Sequence, residues 1–582
     1  MKTPRSRSKV VSLLASVVAL SASPLLTAAP AAALPLATDV EYEVLVPETQ
    51  DPLGIDVTAD GRVLWTEREG ELNVRTPDGT IINAAKLPVS ANSCDDCVVE
   101  DAPMGLEEGG LYAVLVKRDF ATSNRIYLYR SMPFSYNEVT KQGKWRLSTF
   151  VLGKNSKLDL TSEKVILEVP AEWEHCCHYG GDLSYLPDGT ILLSVGDDIP
   201  ASSSSGYGPR DTSETWLDGE INVQNPADRR GKILRLMEDG SVPNGTQPGI
   251  KKNPFVGKSG YNPYIKLNPN VAQRAAKPYV SDRTGSVADH TIAYDPFIYA
   301  IGFKQPFHGA VDPKTGTSYY GDVGPDAYVD DPRRGPRGYD ERDVIPFGGG
   351  TNYGWPRCMA NNKAYHDVDW ANGATDLGVL DCSTMSGAAF YYPHDVSAEF
   401  PSVGVGTVTG IPAVVYPETA RGALRLPARF DNMLIDLEFG RDWIATIPVN
   451  DDGSLDVGAF ERHAPFLDPA GGIVQPLGPI NAAIGPDGAL YVIEYGKAFY
   501  NGTGSLARLK CAGCQPDPAD YITPGSPRPR PTTPPAPPPA ARPTTRPGSN
   551  LPATGGLPGG VVVGAVLAGL AGVAWRRRRY VA

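Results

Sequence analysis

One device recurs along this chain: a short alternating strand, a turn built on Asp-Gly or a near variant, and a second strand rich in β-branched and aromatic residues. It appears around Asp60-Gly61, around Asp188-Gly189, around Lys314 and around Asp487-Gly488. Asp-Gly between alternating runs is a strong hairpin signal, because the turn needs positive φ at its centre. No long helical periodicity competes with it, and Gly and Pro together hold 117 of 582 positions (62 and 55), about 20% against about 12% on average. Hairpins at wide spacing suggest radial sheets, while their irregular intervals exclude a regular forty-residue repeat. Residues 38–510 exceed the roughly 250–300 that one simple core serves. Divided by six they give roughly 78 per unit, enough for four strands and long surface loops. The expected fold is therefore all-β, a six-bladed β-propeller over 38–510, whose radial closure disposes of exposed strand edges. A pair of β-sandwich domains is the competing architecture.

The two ends read as addresses. Residues 1–33 carry a basic stretch, an apolar stretch from about Val10 to Ala22 and Ala31-Ala32-Ala33 as a small-residue cleavage site, the layout of a secretory signal peptide. Residues 516–550 hold 13 prolines in 35 positions and are expected to form a disordered, extended spacer. Then come Leu551, Pro552, Ala553, Thr554 and Gly555, an uncharged run ending at Trp575, and Arg576 to Arg579. The run reads as a terminal hydrophobic, transmembrane helix with a stop-transfer cluster. The three-part order of residues 551–582 resembles the LPxTG cell-wall sorting signal of Gram-positive bacteria. That resemblance implies a sortase that cuts after Thr554 and joins it to peptidoglycan, hence a secreted, wall-anchored protein. Lys plus Arg is 54 and Asp plus Glu 66; setting aside the four basic residues of the leader and the four at the C-terminus leaves 46 against 66. Such a chain lacks the basic face of a nucleic-acid binder.

Eight cysteines in an exported chain point to disulfides. Cys94 and Cys97, and Cys511 and Cys514, read as local loop staples, and Cys358 and Cys382 flank a loop-rich insertion they would close. The pairing of Cys176 and Cys177 stays open.

Specific strings carry further information: "HYGGDLSYLPDGTILLSVGDD" from His178, "RRGKILRL" from Arg229, "IGFKQPFHGAVDPKTG" from Ile301, "GDVGPDA" from Gly321, "RGPRGYDERD" from Arg334 and "GGGTNYGWP" ending at Pro356. As an ordered set these resemble the soluble quinoprotein sugar dehydrogenases, the glucose/sorbosone dehydrogenase family. The resemblance implies a propeller that binds pyrroloquinoline quinone (PQQ) and Ca²⁺ in a cleft on one face, oxidises an aldose sugar to its lactone and passes electrons to an external acceptor.

Within that resemblance His178 is the candidate general base, since an imidazole titrates near neutrality and can take the proton of a sugar hydroxyl. Asp197 would fix its tautomer. Lys304 and Gln305 stand where the family commonly has Arg and Asn; Lys304 would stabilise negative charge on the quinone, as a point charge in place of a planar fork. Gly324 and Pro325 would offer backbone carbonyls to Ca²⁺, a hard cation that accepts neutral oxygens, with Asp322 or Asp326 in support. Glu108, Gln305 and Arg441 are the candidate cofactor contacts, and Tyr353 and Trp355 the aromatic wall for a sugar. Two other functions compete: a non-catalytic propeller serving as a surface binding or adhesion module, and a calcium-dependent lactonase.

Overall fold

The computed structural model describes residues 37–91, 108–133, 142–172, 177–200, 203–211, 217–261, 264–266, 279–281, 291–369, 375–407, 409–497 and 502–513. The chain divides into two units, Met1–Tyr521 and Ile522–Ala582, and everything described lies in the first.

Six sheets form the blades of the expected propeller. Blade 1 is built from Pro52–Val57, Val63–Glu67, Glu71–Arg75 and Ile81–Lys86. Blade 2 follows with Leu111–Val116, Arg125–Ser131, Gln142–Leu152 and Leu158–Glu172. Blade 3 has Leu183–Tyr185, Ile191–Val195, Lys232–Leu236 and Ile298–Ile301. Blade 4 has Pro306–Val311, Ser318–Asp322, Tyr339–Ile345 and Phe390–Pro393. Blade 5 has Gly410–Tyr416, Met433–Glu438, Trp443–Pro448 and Glu461–His463. Blade 6 takes Pro479–Ile484, Leu490–Glu494 and Gly504–Cys511 from the end of the domain and completes itself with Ala37–Thr49 from its start. The pairing is antiparallel, from Val40 opposite Cys511 to Thr49 opposite Gly504, so the ring is closed by residues more than 450 positions apart. The strands that begin the blades surround a channel of about 330 Å³.

Asp-Gly turns also join third to fourth strands, at Asp78-Gly79 in blade 1 and Asp452-Gly453 in blade 5, but the four places singled out in the sequence share one position. In blades 1, 3, 4 and 6 it is the hairpin that joins the first strand to the second, and Gly61, Gly189, Gly316 and Gly488 sit in it at φ between 77° and 91°. Blades 2 and 5 make the same join differently. One uses a single helical turn, Phe120–Ser123, ended by left-handed Asn124. The other uses a longer loop containing the 3₁₀ turn Ala428–Phe430.

A second repeat holds the blades to their entry loops. A polar side chain at the end of each second strand captures the segment that leads into the first. Glu67 accepts from the Gln50 backbone, Ser131 Oγ from Gly110 N–H at 2.9 Å, Glu438 from Thr409 N–H at 2.6 Å and Glu494 from Leu477 N–H at 2.9 Å. In blade 4 Asp322 accepts from the N–H groups of both Lys304 and Gln305. Each bond satisfies a backbone donor that would otherwise be stranded between blades.

The insertion between the third and fourth strands of blade 4 is closed by the Cys358–Cys382 disulfide, as expected. Cys177 and Cys511 are also disulfide-bonded. Cys94, Cys97, Cys176 and Cys514 lie outside the described residues, as do the signal peptide, the Pro-rich spacer and Leu551 to Gly555. The expectation of a transmembrane helix is corrected. Among the described residues no helix is long and apolar enough to cross a membrane; the α-helices, Phe120–Ser123 and Gly219–Val223, are one turn each, whereas a span needs about 20 residues. The segment expected to form that helix lies outside the described residues.

Candidate active site

Blade 3 uses its end-of-strand carboxylate differently from the rest: Asp197 captures a side chain. His178 lies in the loop entering Leu183–Tyr185, and its Nδ1 is 3.0 Å from Asp197 Oδ1. The loop reaches that position through an unusual backbone. Cys177 and His178 have φ of 101° and 62°, and the His178 carbonyl accepts from Asp198 N–H at 3.0 Å. Gly196 makes this approach possible, because a Cβ there would stand 2.0 Å from the His178 oxygen.

Asp197 is fully buried and well supplied with donors. Oδ1 also accepts from Ile199 N–H at 3.0 Å, and Oδ2 accepts from Trp355 Nε1–H at 2.7 Å. An acceptor-only carboxylate facing Nδ1 places the imidazole proton on that nitrogen, leaving the lone pair on Nε2. Nε2 in turn faces Lys304 Nζ at 2.9 Å, and an ammonium can only donate. Asp197, His178 and Lys304 thus form one buried chain in which the lone pair of the candidate base is occupied by the candidate cation. The backbone reinforces it, since Asp197 N–H donates to the Lys304 carbonyl at 2.7 Å.

Glu108 and Gln305 join the same assembly. One oxygen of Glu108 accepts from His178 N–H at 2.7 Å and from Gln305 Nε2–H at 3.2 Å, while Gln305 Oε1 accepts from Gly180 N–H at 2.8 Å. Both ends of this amide are therefore spent on the protein.

A small cavity of about 10 Å³ adjoins Lys304 and Trp355 and is also lined by Asp322, Gly324, Pro325 and Glu341. That is room for about one water-sized occupant. Among the described residues the carbonyls of Gly324 and Pro325 accept no hydrogen bond, so this turn has two neutral oxygens without a donor.

The remaining candidates are placed elsewhere. Tyr353 is buried against Phe303 and its hydroxyl donates to the Val344 carbonyl at 2.6 Å. Arg441 lies in blade 5, where its guanidinium donates to the carbonyls of Pro393, Val403, Gly404, Gly406 and Thr407 and stacks over Tyr392. Asp326 contributes no ligand to the acidic group found here.

That group was missed by sequence reasoning in two of its three members. Asp322, Glu341 and Asp343 are buried and each brings a carboxylate oxygen within 4.8 Å of the others. Burial, opposed by the Lys304 and Gln305 N–H groups, pushes Asp322 up to about 7. Burial and the neighbouring acids also push Glu341 and Asp343 well above the ordinary carboxylate range. The available signal was "YDERDVI", four charged residues in succession inside a strand.

The comparisons with known proteins bear mainly on the first half of the chain. The family model described as Glucose / Sorbosone dehydrogenase matches residues 49–266, which span blades 1 and 2 and three strands of blade 3. His178 and Asp197 fall inside the match; Lys304, Gln305, Gly324 and Pro325 lie beyond it. Among curated proteins, the Uncharacterized protein slr1608 of Synechocystis sp. is 30% identical over 195 residues, 33% of this chain and 42% of that protein. The Hedgehog-interacting protein of Homo sapiens is 25% identical over 218 residues, 35% of this chain and 27% of that one. The chain thus spans less than half the length of either relative. A putative oxidoreductase (glucose dehydrogenase) from Thermus thermophilus superposes with a TM-score of 0.49 at 19% identity, covering 81% of this chain and 99% of that one. Over residues 49–266 the chain is thus similar to the glucose/sorbosone dehydrogenase family.

Proposed function

We propose that this protein is a sugar-oxidising oxidoreductase that works with PQQ and Ca²⁺, converts an aldose to its lactone and delivers electrons to an external acceptor. The observation that carries the reading is the Asp197–His178–Lys304 chain: a base with its tautomer fixed, next to a buried cation, at the rim where blades 3 and 4 are entered. The donor set fits the cofactors. Gly324 and Pro325 would hold Ca²⁺ through their carbonyls, and Lys304 and Glu108 would face the quinone. When bound, PQQ supplies the acceptor for the hydride that leaves the sugar carbon.

The chain's own residues do the rest. His178 Nε2 takes the hydroxyl proton, and Asp197 stabilises the imidazolium that results. Because Nε2 is paired with Lys304 Nζ at rest, a substrate hydroxyl must first displace that contact. Lys304 is then released toward whatever negative charge develops beside it. Trp355 keeps Asp197 oriented through its indole N–H.

A second reading, a non-catalytic binding propeller, draws on the same contact. A base capped by lysine and an amide spent on Glu108 and Gly180 describe a site closed on itself, and one curated relative is by its printed name an interacting protein. Titrating the metal-free secreted protein with PQQ and Ca²⁺ separates the two. The enzyme reading expects saturable, stoichiometric quinone binding seen as a shifted absorption band; no binding at millimolar Ca²⁺ would establish the second reading.

The proposed location is the outer wall of a Gram-positive bacterium, on the strength of the signal peptide and LPxTG pattern. Thr554→Ala should abolish release of the protein by muramidase, and unchanged release would refute wall attachment.

A further inference from the structure

Lys232 opens the third strand of blade 3 opposite Val195, which stands just before the turn that carries Asp197. It is fully buried, and among the described residues no carboxylate forms an ion pair with it. Its Nζ donates instead to three backbone carbonyls, those of Asn222 at 2.7 Å, Arg230 at 2.8 Å and Val223 at 3.0 Å. Burial pushes this lysine down to about 7, with Asp228 opposing, but three acceptors match the three hydrogens of the ammonium and exceed the two of the amine. Asn222 and Arg230 are also the residues whose side chains grip the Asp197 turn. Asn222 Nδ2–H donates to the Asp197 carbonyl at 2.8 Å. Arg230 holds the Asp198 carboxylate at 3.0 Å, while Asp198 N–H donates to the His178 carbonyl at 3.0 Å. Between Arg230 and Lys232, Gly231 N–H donates to the Gly196 carbonyl at 2.7 Å. Asn222 belongs to Gly219–Val223, a single helical turn, too short to stand alone and with end carbonyls that need donors from outside. The chain then continues to Gln224, whose Nε2–H donates to the Trp355 carbonyl at 2.7 Å.

We infer that Lys232 is a positioning residue for the proposed base: by tying the backbone of Asn222 to that of Arg230, it sets how closely Asp197 meets His178 Nδ1. The inference rests on the reading of His178 as the base. A carboxylate fixes an imidazole tautomer only while it stays within hydrogen-bond distance, and Asp197 Oδ1 and His178 Nδ1 are 3.0 Å apart. Asp197 is anchored through its N–H on the Lys304 carbonyl and through its carbonyl on Asn222; the second anchor is the one that Lys232 controls. The ammonium spans the loop from Gln224 to Arg229 and so joins the turn Gly219–Val223 to the strand that follows it. Burying a cation is costly unless its hydrogens all find acceptors, and here all three do, on both sides of that loop. Removing it leaves buried carbonyls without this donor and lets the turn drift from the strand. The contact between Asn222 and Asp197 is the first to feel that drift.

The test needs neither quinone nor sugar, so failure of the dehydrogenase reading, seen in the PQQ titration, leaves it intact. The full secreted chain is isotopically labelled at its histidine nitrogens, and the His178 signals are identified by their loss in His178→Asn. Its tautomer is then read from the ring-nitrogen shifts by NMR, with Tm measured in parallel. Wild type should show a single tautomer protonated on Nδ1. Lys232→Met, which keeps the stem and removes the ammonium, should lower Tm and lose that single-tautomer signature, with both tautomers appearing in exchange. Asn222→Ala leaves the lysine in place and cuts the hold on the Asp197 carbonyl. It should move the tautomer the same way with a smaller fall in Tm, and it serves where Lys232→Met folds poorly. His178 still protonated on Nδ1 alone in both variants, whatever their Tm, would make Lys232 a structural residue and overturn the inference. So would a wild type without the Nδ1 proton, since Asp197 would then have no tautomer to fix.

Discussion

The strand Tyr339–Ile345 carries charges on both its faces, and the two faces solve the same electrostatic problem in opposite ways. On the side toward blade 5, Asp340 and Arg342 enter a closed network. Arg342 holds Asp436 in a two-pronged pair at 2.8 and 3.1 Å and donates to Tyr392, Asp340 accepts from Gly324 and Gly410 N–H, and Tyr392 donates to Glu438. On the other side Glu341 and Asp343 meet Asp322 with no cation of the described residues among them. The first face has its counter-charge built into the sequence; the second has no ion-pair partner among the described residues. The comparison teaches that charge count alone does not mark a site. What marks it is where the accounting of donors and counter-charges fails, and on this strand it fails on the face next to His178 and Lys304.

The largest expected effect comes from breaking the closed face. Arg342→Met leaves Asp436 buried without its partner, and removing one member of a buried pair typically costs about 3–5 kcal/mol. Denaturant melts should show that loss, along with looser packing of Gly410, whose missing Cβ makes room for the guanidinium. A loss under about 1 kcal/mol would mean that the two faces do not differ as described.

A smaller effect sharpens the contrast. Glu438 is pushed above the ordinary carboxylate range by burial first and by Asp340 next, with Arg342 and the Tyr392 hydroxyl opposing. A carboxyl with a raised folded pKa retains a proton that the unfolded chain has already lost. Its contribution therefore falls as pH rises from the ordinary carboxylate range through the folded value. Glu438→Gln should flatten that part of the stability profile. An identical profile in the variant would show that Glu438 is ionised in the fold throughout.

Much of the architecture was legible because hairpins are local. Asp60-Gly61, Asp188-Gly189 and Asp487-Gly488 fix their turns within a few residues, and each marks the first join of a blade. Blades 2 and 5 escaped the pattern because Phe120–Ser123 and the loop through Ala428–Phe430 replace the tight turn. The closure by Ala37–Thr49 was hidden for a different reason: nothing near Val40 names Cys511 as its partner. The second repeat was present in the sequence as apolar runs ending in acid, at Glu67, Asp197, Asp322, Glu438 and Glu494, and its meaning emerges only when each acid is seen to hold an entry loop.

The site divides in the same way. His178 and Asp197 lie on one hairpin and could be paired from the resemblance of the surrounding string. Lys304 was anticipated as a cation for the quinone, but its contact with His178 Nε2 joins residues 126 positions apart and belongs to the tertiary fold. Arg441 matched only loosely, and the structure shows its guanidinium organising the connection from blade 4 to blade 5 through five carbonyls. Glu341 and Asp343 read as ordinary alternation in a charged strand, since burial of both faces is a property of the ring.

Single-turnover reduction of the reconstituted protein tests the role of His178 most directly. Wild type and His178→Asn, each loaded with PQQ and Ca²⁺, are mixed with a panel of aldoses and the quinone absorption is followed. Both should bind the quinone, and His178→Asn should reduce it about 10²- to 10⁴-fold more slowly, the usual contribution of a general base. Equal rates in the two proteins would contradict that role.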